Sequence, residues 1–241
     1  MSSKSVSSKP EGKRSVLPFV IIGGVLVAVV VAVVLMSQRA SNNATVNENF
    51  NAAATPTGPR QVAAGAPDPY ERGGAKASVT LEEFSDFQCP ACGGLEPGLR
   101  KVVKDYGERV RLVFRNYPLP MHRYAFQAAR AAEAAGQQGK FWEMHDVLYD
   151  NQKEWSDSME PRVQFDSYAT RLGLDVQRFK ADIERQDLAD RIKADVQRGN
   201  SLNVRGTPTV YLNGRELMPG KLVTEDDLRR EIDAALGSTA K

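Results

Sequence analysis

The 241 residues hold only two cysteines, Cys89 and Cys92, which excludes a small scaffold stapled by several disulfides. Charge imbalance is also missing: 32 Lys and Arg against 30 Asp and Glu leave a net charge of +2, with the signs interspersed. That excludes a broad basic footprint, so nucleic acid is not an expected partner. Histidine is as scarce as cysteine. A Cys2His2 zinc site would need His122, His145 and both cysteines, and their separations do not fit the usual finger spacing, so no metal is expected. Each histidine reads more simply, His145 as a helix-face residue and His122 as a loop or cap residue. There is no internal repeat, and nothing in the composition indicates wholesale disorder.

Charge is absent altogether from Val16 to Met36, a run of mostly Val, Ile, Leu and Ala. As a helix rising about 1.5 Å per residue, it matches a hydrocarbon core of about 30 Å. A cleavable signal peptide has a shorter apolar part, about 7 to 15 residues, and an A-x-A-like end, whereas Met36-Ser37-Gln38-Arg39 follows here. The expectation is an uncleaved transmembrane anchor over 16–36. Lys4, Lys9, Lys13 and Arg14 precede it, so residues 1–15 are expected in the cytoplasm and the bulk of the chain outside, in a periplasm or at the cell exterior.

From 37 to 76 the chain is rich in Ala, Asn, Gly, Pro and Thr without a sustained period, and reads as a flexible linker. The folded part is expected over 77–241. Ser78–Phe84 has strand composition and runs into Cys89-Pro90-Ala91-Cys92. Leu95, Leu99, Val102 and Val103 recur on one helical face as far as Tyr106, and Val110–Phe114 reads as a second strand. Helices are expected over Tyr124–Ala135 and Phe141–Tyr149, with two or three more between Val163 and Asn200. Asn213-Gly214 then sits between Thr209–Leu212 and Glu216–Met218 as a hairpin signal, and Thr224 opens a last helix through Leu236. The class is α/β: a β-α-β half and a β-β-α half enclosing a helical insert at about 120–200.

The chemistry lies where strand turns into helix. A helix N-terminus offers unpaired N–H groups and a positive dipole end, which stabilise a thiolate at Cys89. Pro90 suits the first helical position and leaves the amides of Ala91 and Cys92 free to face the Cys89 sulfur. Positions i and i+3 share a face, so Cys92 can attack a mixed disulfide on Cys89. The bland alternative is a local structural disulfide, but so short a loop restrains little chain entropy.

Phe84-Ser85-Asp86-Phe87-Gln88-Cys89-Pro90-Ala91-Cys92 resembles the active-site segment of DsbA-like thiol-disulfide oxidoreductases, which have a thioredoxin-like fold. Pro97 resembles the proline inside their active-site helix, and Val204–Thr209 resembles the loop bearing their cis-proline. Segments 116–122 and 141–145 are similar to relatives tethered to bacterial membranes. The resemblance spans about Ala77 to Leu236, and it implies that Cys89 and Cys92 are catalytic, supported by Pro90 and Ala91. It further implies that Pro208 is a cis-proline and that the Thr207 backbone pairs with an extended substrate. Glu83 matches a partly buried acid of the family that can serve as a proton relay near the deeper thiol; on the residues alone, Glu82 and Glu83 remain alternatives for the inward carboxylate. The strongest oxidants of the family carry His where this chain has Ala91, which implies a less oxidising disulfide here. The family further implies reduced exported proteins as substrates, a membrane redox partner of the DsbB or vitamin K epoxide reductase type, and no cofactor beyond the Cys89–Cys92 disulfide. Disulfide reduction or isomerisation is the alternative enzyme reading. A membrane-tethered peptide-binding module without turnover is the alternative outside that class.

Overall fold

The computed structural model describes residues 62–239, all within the second of the chain's two units, residues 59–241. The expected span over 16–36 lies outside the described residues. Among those described, no helix is long and apolar enough to cross a membrane.

A five-stranded sheet with order β1-β3-β2-β4-β5 forms the frame. β1 is Glu71–Gly73, β2 Val79–Ser85, β3 Val110–Asn116, β4 Thr209–Leu212 and β5 Arg215–Glu216. β2 and β3 are parallel, joined through helix α1 (Pro90–Tyr106), because a parallel pair needs a crossover connection. β4 runs antiparallel to β2 and turns into β5 through Asn213 and Gly214, whose φ values of 46° and 83° are those a tight hairpin turn requires.

Alternation along β2 sorts its side chains to two faces. Val79 and Leu81, with Val110, Leu112, Val210 and Leu212, pack beneath α1 (Leu95, Leu99, Val102) and the C-terminal helix α8 (Glu225–Thr239; Leu228, Ile232). On the opposite face, Phe84 meets Tyr117, Val204 and Tyr211 beside Val196. Val196 belongs to α7 (Gln186–Ser201). The remaining helices are α2 (Ala125–Gly136), α3 (Phe141–Asp150), α4 (Gln152–Ser156), α5 (Pro161–Arg171) and α6 (Val176–Ile183). With α7 they make up the insert, held by a cluster rich in alanine and aromatic residues that includes Phe87, Phe114, Met144, Trp155 and Phe165. At α8, Thr224 Oγ1 accepts from the Asp227 amide and the Asp227 carboxylate accepts from the Thr224 amide, a reciprocal cap.

The linker boundary expected at residue 76 is not where packing begins. Ala66 is buried, its amide donating to Asp195 Oδ1 at 2.9 Å and its carbonyl accepting from Arg115. Tyr70 stacks on Phe141 with ring centroids 3.6 Å apart, and β1 pairs antiparallel with β3. These residues show no period because a three-residue edge strand is too short to have one. Their partners, more than a hundred positions away in the case of Asp195, are invisible to a local reading. The short helix α4 was likewise absent from the expected elements.

Candidate active site

β2 ends at Ser85, and the turn that follows is set by Asp86. Its carboxylate accepts from the Gln88 amide at 2.7 Å and from the Leu119 amide at 2.8 Å, and lies 2.7 Å from His122 Nδ1. Cys89 then takes the N-cap position with extended backbone, φ −72° and ψ 121°, and Pro90 starts the helix. Gln152, at the start of α4, donates through one amide nitrogen to the carbonyls of both Phe87 and Cys89. A Cβ at Gly93 would lie 2.6 Å from Gln152 Oε1, so the second residue after Ala91 must be this small for the clamp to close.

Both thiols are free. Cys89 keeps 7% of its surface exposed and Cys92 none, which makes Cys89 the sulfur a partner can reach. Hydrogen bonding from the Cys92 thiol, together with Thr207 and the Cys92 and Ala91 amides, lowers the Cys89 pKa to about 5 against the opposing effect of burial. Burial raises the Cys92 pKa, and hydrogen bonding to Cys89 and the nearby charges of Cys89 and Glu83 raise it further. These hydrogen bonds favour the Cys89 thiolate without a histidine at position 91.

The Thr207–Pro208 peptide is cis, and Cys89 Sγ lies 3.3 Å from the Thr207 carbonyl oxygen. Pro208 is buried and Thr207 half-buried at the entry to β4. A cleft of about 490 Å³ runs from this loop past Arg205, Leu217, Lys221 and Leu222, a size suited to a short extended segment of another chain.

Behind the thiols the sheet register resolves the two acids. Glu83, opposite Phe114 and Val210, points toward the α1 side and is 1% exposed, with neither carboxyl oxygen hydrogen-bonded. Burial pushes its pKa up to about 7. Glu82 points the other way, onto Arg115 and Arg198.

Two further groups lie on this side of the sheet: Glu96, which the sequence did not mark, and His145, which it marked only as a helix-face residue. Glu96, one turn beyond Cys92 on α1, is 1% exposed, and burial pushes its pKa up to about 7 as well. Its Oε1 lies 3.8 Å from His145 Nδ1, and that nitrogen is 2.9 Å from Asp146 Oδ1. The i+4 spacing from Cys92 was the available sign for Glu96; nothing local marked His145 as more than that, and it is fully buried among Phe87, Phe114, Trp142 and Tyr149. The two histidines do not join the cysteines. Among the described residues, Glu96, His145 and Asp146 alone have ligand-type atoms close enough for a metal, and Arg72 and Arg100 already flank Asp146.

Comparison with known proteins agrees with this architecture. A family model described as thioredoxin matches residues 66–234. A thioredoxin-like oxidoreductase from Silicibacter pomeroyi superposes with a TM-score of 0.61 at 27% identity, covering 71% of this chain and 94% of that one. Oxidised BdbD from Bacillus subtilis gives 0.61 at 22% identity, covering 73% and 99%, and α-DsbA1 from Wolbachia pipientis gives 0.62 at 18%, covering 71% and 92%. These two share the fold. Among curated relatives, Na(+)/H(+) antiporter NhaA 3 of Salinispora tropica is 46% identical over 147 residues, 61% of this chain and 22% of the antiporter. NhaA 1 of Mycolicibacterium gilvum is 35% identical over 151 residues, 61% of this chain and 23% of that protein. The chain thus spans under a quarter of the length of these relatives.

Proposed function

The chain belongs to the thioredoxin family, and from that premise we propose that it is a thiol-disulfide oxidoreductase introducing disulfides into exported proteins outside the cytoplasm. The observation that carries this reading is the Cys89 sulfur. It sits at the N-terminus of α1 with its pKa lowered to about 5, beside the carbonyl of Thr207, a residue that also lines the cleft. A stabilised thiolate favours the reduced enzyme, which makes the oxidised pair a willing acceptor of electrons.

A client thiolate attacks Cys89 Sγ of the oxidised pair. The Cys89–Cys92 bond breaks, its electron pair leaves on the Cys92 sulfur, and that sulfur takes up a proton. A second client thiolate attacks the client sulfur of the mixed disulfide and expels Cys89 as thiolate, leaving the client oxidised and the enzyme reduced by two electrons. The client segment adds alongside the Thr207 backbone as an extended strand. Reoxidation falls to a membrane protein of the DsbB or vitamin K epoxide reductase type, and the apolar run over 16–36 holds the enzyme on the same surface. We read the match to the antiporters as sharing of the thioredoxin-like part, with no ion transport by this chain.

Ala91 favours the second reading, a reductase, since it offers the thiolate no side-chain support. Equilibrating the full chain with defined thiol-disulfide mixtures separates the two. A reduction potential near that of DsbA, about −120 mV, supports the oxidase, and one near thioredoxin, about −270 mV, replaces it with the reductase. Cys92→Ala tests turnover itself: mixed disulfides with client proteins should accumulate and dissolve on reduction, and a non-catalytic binding module would form none.

A further inference from the structure

Each cycle of disulfide exchange moves one proton to or from the Cys92 sulfur, because Cys89 cycles as thiolate and Cys92 as thiol. Cys92 has no exposed surface, and Glu83, the nearest acid in the resemblance, is itself buried with both oxygens unpaired. A carrier sealed on all sides can be used once and then needs recharging, so a second group must connect it with water.

Further buried polar groups follow along α1. Glu96 shares the face of Cys92 one turn on, leaving Oε2 unpartnered. His145 lies 3.8 Å from the other oxygen and leaves Nε2 unpartnered. His145 Nδ1 reaches Asp146 Oδ1 at 2.9 Å, and the Asp146 side chain is 26% exposed. Cys92, Glu83 and Glu96 all act electrostatically on the Tyr149 hydroxyl, which joins Ser85 Oγ at 2.8 Å, so the groups surround one common site.

We propose that Glu96 and His145 are proton-carrying residues that link the Glu83–Cys92 pocket with solvent at Asp146. When the disulfide opens, Glu83 gives its proton to the Cys92 thiolate, Glu96 reprotonates Glu83, and Glu96 is reprotonated through Nδ1 of His145. Nδ1 of His145 then recovers a proton from water beside Asp146. Reoxidation runs the same steps backward and releases one proton. The groups that set this balance are Cys92, Glu96 and Arg100 from α1, and Glu83 and Ser85 from β2. His145, Asp146, Tyr149 and Asp150 contribute from α3, and Arg72 from β1. Against its partial burial, hydrogen bonding to His145 and the charge of Arg72 lower the Asp146 pKa at the outer end, while burial raises those of the inner acids Glu83 and Glu96. The inference rests on disulfide exchange by Cys89 and Cys92.

The test is the pH profile of the rate at which reduced glutathione opens the disulfide, followed by tryptophan fluorescence in the full chain, for wild type, Glu96→Gln and His145→Gln. Glu96→Gln should slow the step roughly a hundredfold and remove an ionisation near pH 7, with Cys89 alkylation still titrating near pH 5. His145→Gln should slow the step with a raised solvent deuterium isotope effect. A variant that is merely less stable, with the wild-type profile intact, overturns the relay. Should either variant fail to fold, reduced-minus-oxidised infrared spectra of the wild type decide: two carboxyl bands at pH 7 support the relay, and a single band overturns it. Wild-type protein that exchanges no disulfide removes the proposed function and the relay together. Normal exchange with an unchanged Glu96→Gln profile removes the relay alone.

Discussion

The two faces of the sheet each bury charged side chains, and they treat them in opposite ways. Beneath α7, Arg115 bonds Glu82 at 2.8 Å and Asp195 at 3.0 Å, Arg198 grips both oxygens of Glu82, and Asp195 also accepts from the amides of Ala66 and Asn116. Beneath α1, Glu83 has no hydrogen bond, and Glu96 and His145 each leave an atom unpaired. Burial would raise the pKa of Glu82, but Arg198 and Arg115 outweigh it and the pKa falls; burial of Glu83 is opposed by Ser85 alone, with no cation beside it, and the pKa rises. A satisfied network fixes structure, whereas an unsatisfied one holds its protons loosely enough to trade them.

The largest test of that contrast is Asp195→Ala. It takes one of two carboxylates from the buried Arg115 guanidinium and removes the acceptor of the Ala66 and Asn116 amides, and should cost about 3–5 kcal/mol in denaturant unfolding, with the Cys89 alkylation profile unchanged. A shifted Cys89 profile would join the two faces into one system. Next is Glu83→Gln. Because the folded pKa is about 7 against an unfolded value of 4.5, the folded state binds more protons in that window. Wild-type stability should then fall as pH rises from about 4.5 to about 7, by ~3 kcal/mol from this group. Glu83→Gln should remove that part of the slope, and a variant with the same slope would show the carboxyl to be ionised throughout.

The Cys89 thiolate gives a linkage of opposite sign. Its folded pKa of about 5 lies below the 9.0 of a free thiol, so the reduced protein gains stability as pH rises from 5 to 9 and loses it as pH falls through 5. Unfolding of reduced and oxidised protein in parallel across this range measures the difference. The smallest effect is Thr224→Ala, which removes the cap of α8 away from both clusters. It should cost about 1 kcal/mol equally at every pH, the baseline for the other three.

The strand-Cys-Pro-Ala-Cys-helix segment was legible in the sequence because everything that defines it is local. The same holds for the Asn213-Gly214 hairpin and the α/β class, which the thioredoxin match bears out. Local reasoning failed where the partner is remote. Gln152 reaches the Cys89 carbonyl from the insert, His145 reaches Glu96 from another helix, and the stretch from Ala63 to Gly73 docks on residues of β3, α3 and α7. Glu82 and Glu83 were inseparable by composition; only pairing with Phe114 and Val210 assigns Glu83 its face.

Those two neighbours are identical in formula and differ only in parity along β2. A slip of β2 by one residue would carry Glu82 from the arginine side into the place of Glu83 and bring Leu81 into the place of Glu82, leaving Arg115 and Arg198 facing an apolar neighbour. The strand's register is therefore a chemical address as well as a mechanical one. An insertion or deletion in the Lys76–Ser78 approach would damage the redox pocket by misdelivering its acid, even with every residue of the motif intact.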